Sequence, residues 1–193
     1  MSNAKTVTVA ITGASGAVYA RHFLQSLLAL DCQVKLVISA AGACLIEEEL
    51  PPGAMADVIA HKNLQQFSPD DIAAPIASGS LVPDAMVVIP ASMGTVGRIR
   101  AGLSSNLIER AADVIIKERK PLLLVPRETP FNTIHLENML ALAKAGAVIM
   151  PAAPAFYHRP ESLEDLHRFI SGRLLCHLGI DNDIAPKWVP RSQ

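Results

Sequence analysis

The sequence of 193 residues predicts one α/β domain, residues 1–193, built on a doubly wound parallel sheet. Short apolar runs alternate along the chain with longer segments whose apolar residues repeat at helical spacing. The apolar runs lack polar alternation, which is typical of strands covered by helices on both faces. Half of the residues are hydrophobic, so the chain can bury a sizeable core. We expect a folded core over residues 5–178 and a C-terminal tail over residues 179–193.

Five strands are predicted, at 6–11, 33–38, 85–89, 121–125 and 147–150. Five helices are predicted, at 17–30, 40–50, 106–118, 133–145 and 162–178. Pro90 is expected to end the third strand, and residues 54–84 are expected to be less regular. Ser162 and Asp165 are expected to cap the last helix.

Composition excludes several classes of function. The formal net charge of -1 leaves no broad basic surface for a nucleic acid, and aromatic residues that would stack on bases are scarce. No apolar run approaches the roughly 18 residues of a membrane span and no signal peptide is visible, so we expect a cytoplasmic protein. The cysteines and histidines form no C-x-x-C, H-x-x-x-H or H-E-x-x-H pattern, and we predict neither a disulfide nor a metal site.

The turn after the first strand is a candidate ligand site. It reads Thr12-Gly13-Ala14-Ser15-Gly16 and leads into a helix. Its glycines permit a sharp turn and a close ligand, and the unpaired amides at a helix start suit a phosphate. A tight turn without any ligand is the alternative interpretation.

Ser39, at the end of the second strand, favours a mononucleotide over a dinucleotide. Dinucleotide-binding folds usually place Asp or Glu here for the ribose hydroxyls, and the full G-x-G-x-x-G pattern is absent. A hydroxyl can bond to a phosphate oxygen, whereas a carboxylate would repel it. Several hydroxyl groups follow strands and are expected at one edge of the sheet. They belong to Ser15, Ser39, Ser92 and Thr95.

Charged and aromatic residues extend this set. Arg127 follows the fourth strand and can bind a phosphate with two parallel hydrogen bonds, and Glu128 can act as a general acid or base. A surface ion pair is the alternative for these two residues. Arg173 falls among apolar residues of the last helix and therefore needs a partner, either an anion or a carboxylate. Lys117 lies near a helix end with Arg119 and Lys120, where solvated charges favoured by the helix dipole are the alternative to a ligand contact. Tyr157 can present its hydroxyl from an apolar, proline-containing loop.

At these residues the sequence resembles the flavin prenyltransferase family of the UbiX type. The matching segments span nearly the whole chain, and R-E-T-P combined with P-A-F-Y-H is highly specific. The segments are T-G-A-S-G-A at 12–17, A-S-G-S at 77–80, N-L-I-E-R-A-A-D-V at 106–114, K-E-R-K-P-L at 117–122, V-P-R-E-T-P at 125–130, H-L-E-N-M at 135–139 and G-A-V-I-M-P-A-A-P-A-F-Y-H at 146–158.

The resemblance implies a flavodoxin-like, Rossmann-like fold and a homododecamer with sites at subunit contacts. It implies a metal-independent transferase that joins the dimethylallyl group of dimethylallyl monophosphate to N5 and C6 of reduced FMN. The prenylated FMN would serve a partner decarboxylase of the UbiD type, often in ubiquinone biosynthesis.

The resemblance also implies roles for individual residues. FMN would be held by Gly13, Ala14, Ser15, Ser39, Ser92, Met93, Gly94, Thr95 and Arg127. The dimethylallyl phosphate would be held by Lys117, Tyr157 and Arg173. The catalytic residues would be Ser15, Glu49, Glu128 and Lys117, and the first three would assist proton transfers around N5, C6 and the leaving phosphate.

The sequence departs from the family pattern at three places. Ala91 stands where the usual P-C-S-x-x-T motif has cysteine, so a thiol is not required there. Asp70-Asp71-Ile72 stands where some relatives have an aromatic ring, so the pattern offers no ring at that place to face an allylic cation. Residues 51–71 match weakly, and the segment that covers the site is not predicted.

Two other functions stay open. A flavin-dependent cysteine decarboxylase of related fold would carry P-x-M-N-x-x-M-W, whereas this chain reads Pro130-Phe131-Asn132-Thr133-Ile134. The other alternative is an FMN-binding carrier without chemistry.

Overall fold

The computed structural model describes residues 5–184, which form a sheet of six parallel strands with helices on both faces. The strands are β1 (Thr6–Ile11), β2 (Gln33–Ile38), β3 (Leu64–Phe67), β4 (Ala85–Ala91), β5 (Leu122–Pro126) and β6 (Val148–Ile149). The helices are α1 (Ala17–Ala29), α2 (Ala40–Glu49), α3 (Ala56–Ile59), α4 (Met93–Arg100), α5 (Leu107–Lys117), α6 (Thr133–Lys144) and α7 (Leu163–His177).

The strand order is β3-β2-β1-β4-β5-β6, which confirms the predicted doubly wound fold. The chain builds outward from β1 in one direction and then returns to build outward from its other side. The order therefore reverses between β1 and β4, and open α/β sheets bind ligands at such a reversal, beyond the carboxyl ends of the strands. Ile11 of β1 lies opposite Ile38 of β2, so the turns after these two strands start side by side.

Each face of the sheet is covered by its own apolar layer. Helices α1 and α7 pack together on one face, where Phe23 and Leu174 are fully buried. Helices α4, α5 and α6 cover the other face, where Val96 and Ile108 are buried. Because both faces exclude water, the central strands are apolar at nearly every position, and the buried Thr8 of β1 is an exception.

The predicted elements are present, but a strand and two helices were missed. β3 lies at the edge of the sheet with Gln65 and Gln66 exposed, so it has no continuous apolar run. It falls with α3 inside residues 54–84, which were expected to be less regular. The sequence of α4 contains Gly94 and Gly97, which are poor helix formers and hide its helical pattern.

Pro90 does not end its strand, contrary to the prediction. β4 continues to Ala91, with a cis peptide bond between Ile89 and Pro90. The pairing of β4 with β5 shifts register between Val88 and Ala91. A residue without an N–H group is tolerated at such an irregular position because no regular ladder hydrogen bond is lost.

The predicted cap of the last helix is present, and part of the predicted tail packs against the core. Asp165 donates its amide to the Ser162 side chain at 3.2 Å and accepts the Ser162 amide at 3.0 Å, so the predicted cap of α7 is confirmed. Within the predicted tail, Ile180 and Ile184 pack against the core. Residues 185–193 of that tail lie outside the described residues.

Two further findings concern residues 5–184. No helix there is long and apolar enough to cross a bilayer, and no group of three His, Cys, Asp or Glu side chains is arranged to hold a metal ion. Cys32, Cys44 and Cys176 are free thiols.

The packing of α7 on the sheet can be tested with a pair of leucine variants. Leu174 is fully buried, and Leu174→Ala should lower the free energy of unfolding by about 2–5 kcal/mol because it leaves a cavity. Leu163, at the start of the same helix, is 72% exposed, and Leu163→Ala should change it by less than about 0.5 kcal/mol. Urea unfolding measures both, and similar losses in the two variants would contradict the described packing.

Candidate functional site

The ends of β1 and β4 are connected through the hydroxyl of Thr12. This buried hydroxyl donates to the Pro90 carbonyl at 2.8 Å and accepts the Ser92 amide at 2.8 Å. The connection spans the place where the strand order reverses. It holds the turn after β1 against the start of α4, so residues from both turns line one cavity.

That cavity has a volume of about 390 Å³ and brings together three of the predicted hydroxyl groups. Helix α2 begins at Ser39, whose hydroxyl accepts the Gly42 amide at 3.1 Å. Helix α4 begins at Ser92, whose hydroxyl accepts the Thr95 amide at 3.3 Å. The lining residues are Gly13, Ser39, Ala40, Ala41, Ser92, Thr95, Arg98, Asn106 and Ile108.

Glycine at position 13 allows this close arrangement. A Cβ atom there would lie only 2.6 Å from the Cβ atom of Ala41, at the start of α2. The turn after β1 could not then approach α2 without a shift of the backbone. Met93 and Gly94, also predicted to contact the ligand, form the first turn of α4 beside the cavity.

The start of α1 binds an acidic side chain of the same chain. The Glu49 carboxylate accepts the Gly16 amide at 2.8 Å and the Ala17 amide at 2.7 Å, and the Ser15 side chain donates a further hydrogen bond to it. Gly16 has a φ of 116°, which a residue with a side chain rarely adopts. The anion predicted at this helix start is therefore Glu49 itself in this structure.

The surroundings of Glu49 keep it ionised. Partial burial raises the pKa of this carboxyl, but the hydrogen bonds from Ser15, Gly16 and Ala17 and the charge of Arg127 outweigh burial and hold the pKa below its ordinary value. A carboxylate at a helix N-terminus is also favoured by the helix dipole. At neutral pH the cluster therefore presents an ionised carboxylate that is hydrogen-bonded to the Ser15 side chain and lies near the Arg127 charge.

Arg127 and Glu128 follow β5 as predicted. Arg127 donates its Nε to the Ser15 carbonyl at 2.8 Å, which ties the end of β5 to the turn after β1. Glu128 accepts the amide of Thr129 at 3.0 Å and is half-buried. Within residues 5–184 the structure shows no ion pair between Arg127 and Glu128, so it does not support the alternative that they pair with each other at the surface.

Tyr157 and Arg173 both lie near Phe169. The Tyr157 ring packs edge-on against Phe169 with centroids 6.0 Å apart. Arg173 and Phe169 line one shallow cavity of about 350 Å³ together with the loop after β6. Arg173 is exposed, so the premise that it lies within an apolar layer was wrong. Its neighbours in sequence face the core, while Arg173 itself points away from it.

Lys117 is not brought to the other predicted residues within one chain. It is the last residue of α5 and lies 3.7 Å from the Glu118 carboxylate. Helix α5 starts at the cavity with Asn106 and runs back to the beginning of β5. Lys117 therefore lies near the amino ends of the strands, whereas Ser15 lies at their carboxyl ends.

The sequence analysis did not identify Arg98 and Asn106, which line the cavity, or the buried Glu109, which accepts hydrogen bonds from both. Asn106 caps α5, and the buried Glu109 is three residues further on. Asn followed three residues later by Glu is the pattern of a helix start, which the predicted helix at 106–118 contained. Arg98 lies in α4, and its role could not be inferred while that helix was unassigned.

The electrostatic role of Glu49 predicts a pH dependence of stability. Its pKa is lowered from the ordinary value of 4.5, so its stabilising contribution is complete above that pH and is lost as the pH falls through the lower, folded-state pKa. Glu49→Gln should therefore be less stable than the wild type at neutral pH, and the difference should shrink below about pH 4.

Urea unfolding between pH 3 and pH 8 measures this difference. Glu48→Gln is the matched control, because Glu48 lies on the same helix and makes no hydrogen bond to a described residue. A gap between wild type and Glu49→Gln that stays constant over this range would contradict the assigned contacts.

Comparison with known proteins agrees with this geometry. Residues 1–175 match the flavoprotein family. A curated relative from Pseudomonas aeruginosa, named flavin prenyltransferase UbiX, is 48% identical over 200 residues, covering 97% of this chain and 96% of the relative.

Two solved structures have nearly the same fold. AnUbiX, solved in complex with FMN and dimethylallyl pyrophosphate, superposes with a TM-score of 0.91 at 38% identity, covering 98% of this chain and 100% of that one. A dodecameric protein from Escherichia coli O157:H7, described as an FMN-dependent UbiX-like decarboxylase, superposes with a TM-score of 0.90. The identity is 42%, and the match covers 96% of this chain and 100% of that one. The chain belongs to the flavoprotein family and, within it, to the flavin prenyltransferases of the UbiX type.

Proposed function

We propose that this protein joins the dimethylallyl group of dimethylallyl monophosphate to N5 and C6 of reduced FMN, with release of phosphate. The observation that carries the proposal is the cluster of Ser15, Glu49 and Arg127 beside a hydroxyl-lined cavity at the strand reversal. The relatives named flavin prenyltransferase and the complex of AnUbiX with FMN and an allylic donor support it. We further propose that the protein acts in the cytoplasm and passes prenylated FMN to a UbiD-type decarboxylase in ubiquinone biosynthesis.

The cavity fits the phosphate end of FMN. Three hydroxyl groups line it, those of Ser39, Ser92 and Thr95, and the helices α2 and α4 start at it. Hydroxyls and amides at helix starts bind phosphate oxygens well. Gly13, Ala14 and Ser15 would then lie along the ligand. Met93 and Gly94 form the first turn of α4, and Arg127 lies next to Ser15.

Ser15 and Glu49 would move protons near the flavin N5. The Ser15 side chain donates to the Glu49 carboxylate, whose lowered pKa keeps it ionised at neutral pH. Glu49 would take up a proton only transiently and pass it on, as a proton relay requires. Ser15 can pass a proton from the flavin to Glu49 because a hydroxyl both donates and accepts. Glu128, half-buried at the end of β5, would serve the proton transfers at C6 or at the leaving phosphate.

Arg173 and Tyr157 would hold the phosphate of the donor. An allylic phosphate departs readily only where its developing charge is neutralised, and a guanidinium does this without reorganising water. Both residues lie beside Phe169, so they can address one ligand. Holding donor and flavin together lowers the barrier further through proximity.

Lys117 would complete the donor site from another copy of the chain. Within one chain Lys117 lies at the end of the strands opposite to Ser15, so a second copy would have to bring its Lys117 to the donor site. Helix α6 exposes Ile134, Leu136 and Leu140, between 53% and 66% of each side chain, and an apolar surface of this kind favours self-association. We therefore propose a homo-oligomer, and a dodecamer by analogy with the Escherichia coli relative.

The central test is the mass of the flavin. After anaerobic incubation of the protein with reduced FMN and dimethylallyl monophosphate, we expect released flavin that is heavier by one prenyl unit. An unchanged flavin mass, in protein shown to bind FMN, would reject the transferase and favour the carrier. Decarboxylation of a cysteine-containing peptide, without a change in flavin mass, would favour the cysteine decarboxylase.

The assignment of Arg173 to the donor can be tested separately. Arg173→Ala should raise the donor concentration needed for half-maximal product formation by about 10-fold or more, because a charged hydrogen bond to the donor phosphate is lost. The dissociation constant for FMN should change little. Arg168→Ala removes the same charge from the same helix as a control. An equal loss of FMN binding and donor use would contradict the division of the site.

A further inference from the structure

An unassigned ion pair stands beside the cavity. The carboxylate of Glu109 in α5 is fully buried and accepts three hydrogen bonds, which come from Arg98 Nε at 2.5 Å, Asn106 Nδ2 at 2.9 Å and the Ser105 amide at 2.9 Å. Burial raises the pKa of Glu109, but these hydrogen bonds outweigh it and leave the pKa below its ordinary value. The carboxylate therefore stays ionised and fixes the guanidinium of Arg98.

The Arg98 guanidinium lines the cavity between the starts of α2 and α4. One of its terminal nitrogens donates to the Thr95 hydroxyl at 3.3 Å. The other lies close to Gly94, since a Cβ atom there would come within 3.3 Å of it. Of the five N–H groups of the guanidinium, two donate to residues within 5–184. The remaining N–H groups are left for a ligand.

We propose that Arg98, positioned by Glu109, binds the phosphate of FMN. The inference rests on the proposed binding of FMN at this cavity and adds the cation that this site would use. A hydrogen bond from a charged donor binds a phosphate more strongly than the neutral hydroxyls and amides do. Arg98 is the cationic side chain among the lining residues, whereas Arg127 donates to the Ser15 carbonyl and lies near the Glu49 carboxylate.

Glu109 does not cancel the use of Arg98 as an anion-binding group. The carboxylate accepts from Arg98 through Nε alone, and Asn106 and Ser105 also donate to it. Because an arginine has a planar fork of donors, it can bond to a carboxylate through one edge and to a phosphate through another. Glu109 thus acts as a positioning residue that removes the freedom of the long Arg98 side chain before the ligand binds.

The test compares FMN with riboflavin, which differs from FMN by lacking the phosphate. In Arg98→Met the dissociation constant for FMN should rise by about 10- to 100-fold, as expected for loss of a charged hydrogen bond, whereas that for riboflavin should change less than about threefold. Arg98→Lys keeps the charge without the fork and should give an intermediate loss for FMN. Arg100→Met, on the same exposed end of α4, removes an equal charge and should leave both constants unchanged.

The role of Glu109 can be tested with the ratio of the dissociation constants for riboflavin and FMN. Glu109→Gln should reduce the preference for FMN over riboflavin, because the guanidinium is no longer fixed by a charge. A merely structural role would weaken both ligands alike, and that result would overturn the positioning role.

If Arg98→Met leaves FMN binding intact or weakens both flavins equally, the phosphate contact is wrong. If the wild-type protein itself fails to bind FMN, the proposed function is wrong instead, so the two failures are distinguishable.

Discussion

The arrangement of the candidate site depends on the hydroxyl of Thr12. This group is buried at the place where the strand order reverses, and it satisfies a carbonyl of β4 and the amide that precedes α4. A buried polar group left unpaired in that position would lower the stability of the fold by about 1–3 kcal/mol. The hydrogen bonds of Thr12, together with packing, therefore hold the two strand ends together. The turn after β1 and the start of α4 are consequently neighbours, and the cavity between them exists because of that contact.

The electrostatics of the sheet edge explain where an anion can bind. Helices α1, α2, α4 and α5 all start at this edge, and each start carries a partial positive charge. The start of α1 is neutralised by Glu49, which approaches from the end of α2. The starts of α2 and α4 are capped by neutral hydroxyls instead, those of Ser39 and Ser92. The starts of α2 and α4 therefore keep their partial positive charge at the cavity. Arg98, whose charge is balanced by Glu109, adds directed N–H donors there.

This division alters the interpretation of the first turn. From the sequence, Gly13 to Gly16 were the natural place for a phosphate, since a glycine-rich turn led into a helix. In the structure the amides of Gly16 and Ala17 serve to hold a carboxylate close to Ser15. In the proposed function the turn would thus present an acid–base group to the flavin, while the hydroxyls and Arg98 at the neighbouring helix starts would bind its phosphate.

The fold and part of the site could be predicted from local patterns. Strands buried on both faces have an unbroken apolar pattern, and the hydroxyls that follow them must meet at one edge of a parallel sheet. The contact of Glu49 with Gly16 could not be predicted from residue types, because it depends on where α2 ends relative to α1. The burial of Arg173 could not be predicted from the apolar residues beside it in the sequence, because burial in a helix depends on the direction in which each residue points. At 3.6 residues per turn, a residue beside a buried leucine can still face the solvent.

The position of Lys117 limits what one chain can do alone. Helix α5 has 11 residues and is therefore about 16 Å long, which separates its end from the cavity by more than a lysine side chain can span. If Lys117 binds the donor phosphate, it does so in the site of another copy, and assembly becomes a condition for the transfer. The residues that would hold FMN are all present within one chain, whereas the donor site would need two. Flavin binding would then be a property of the fold, and prenyl transfer a property of the assembly.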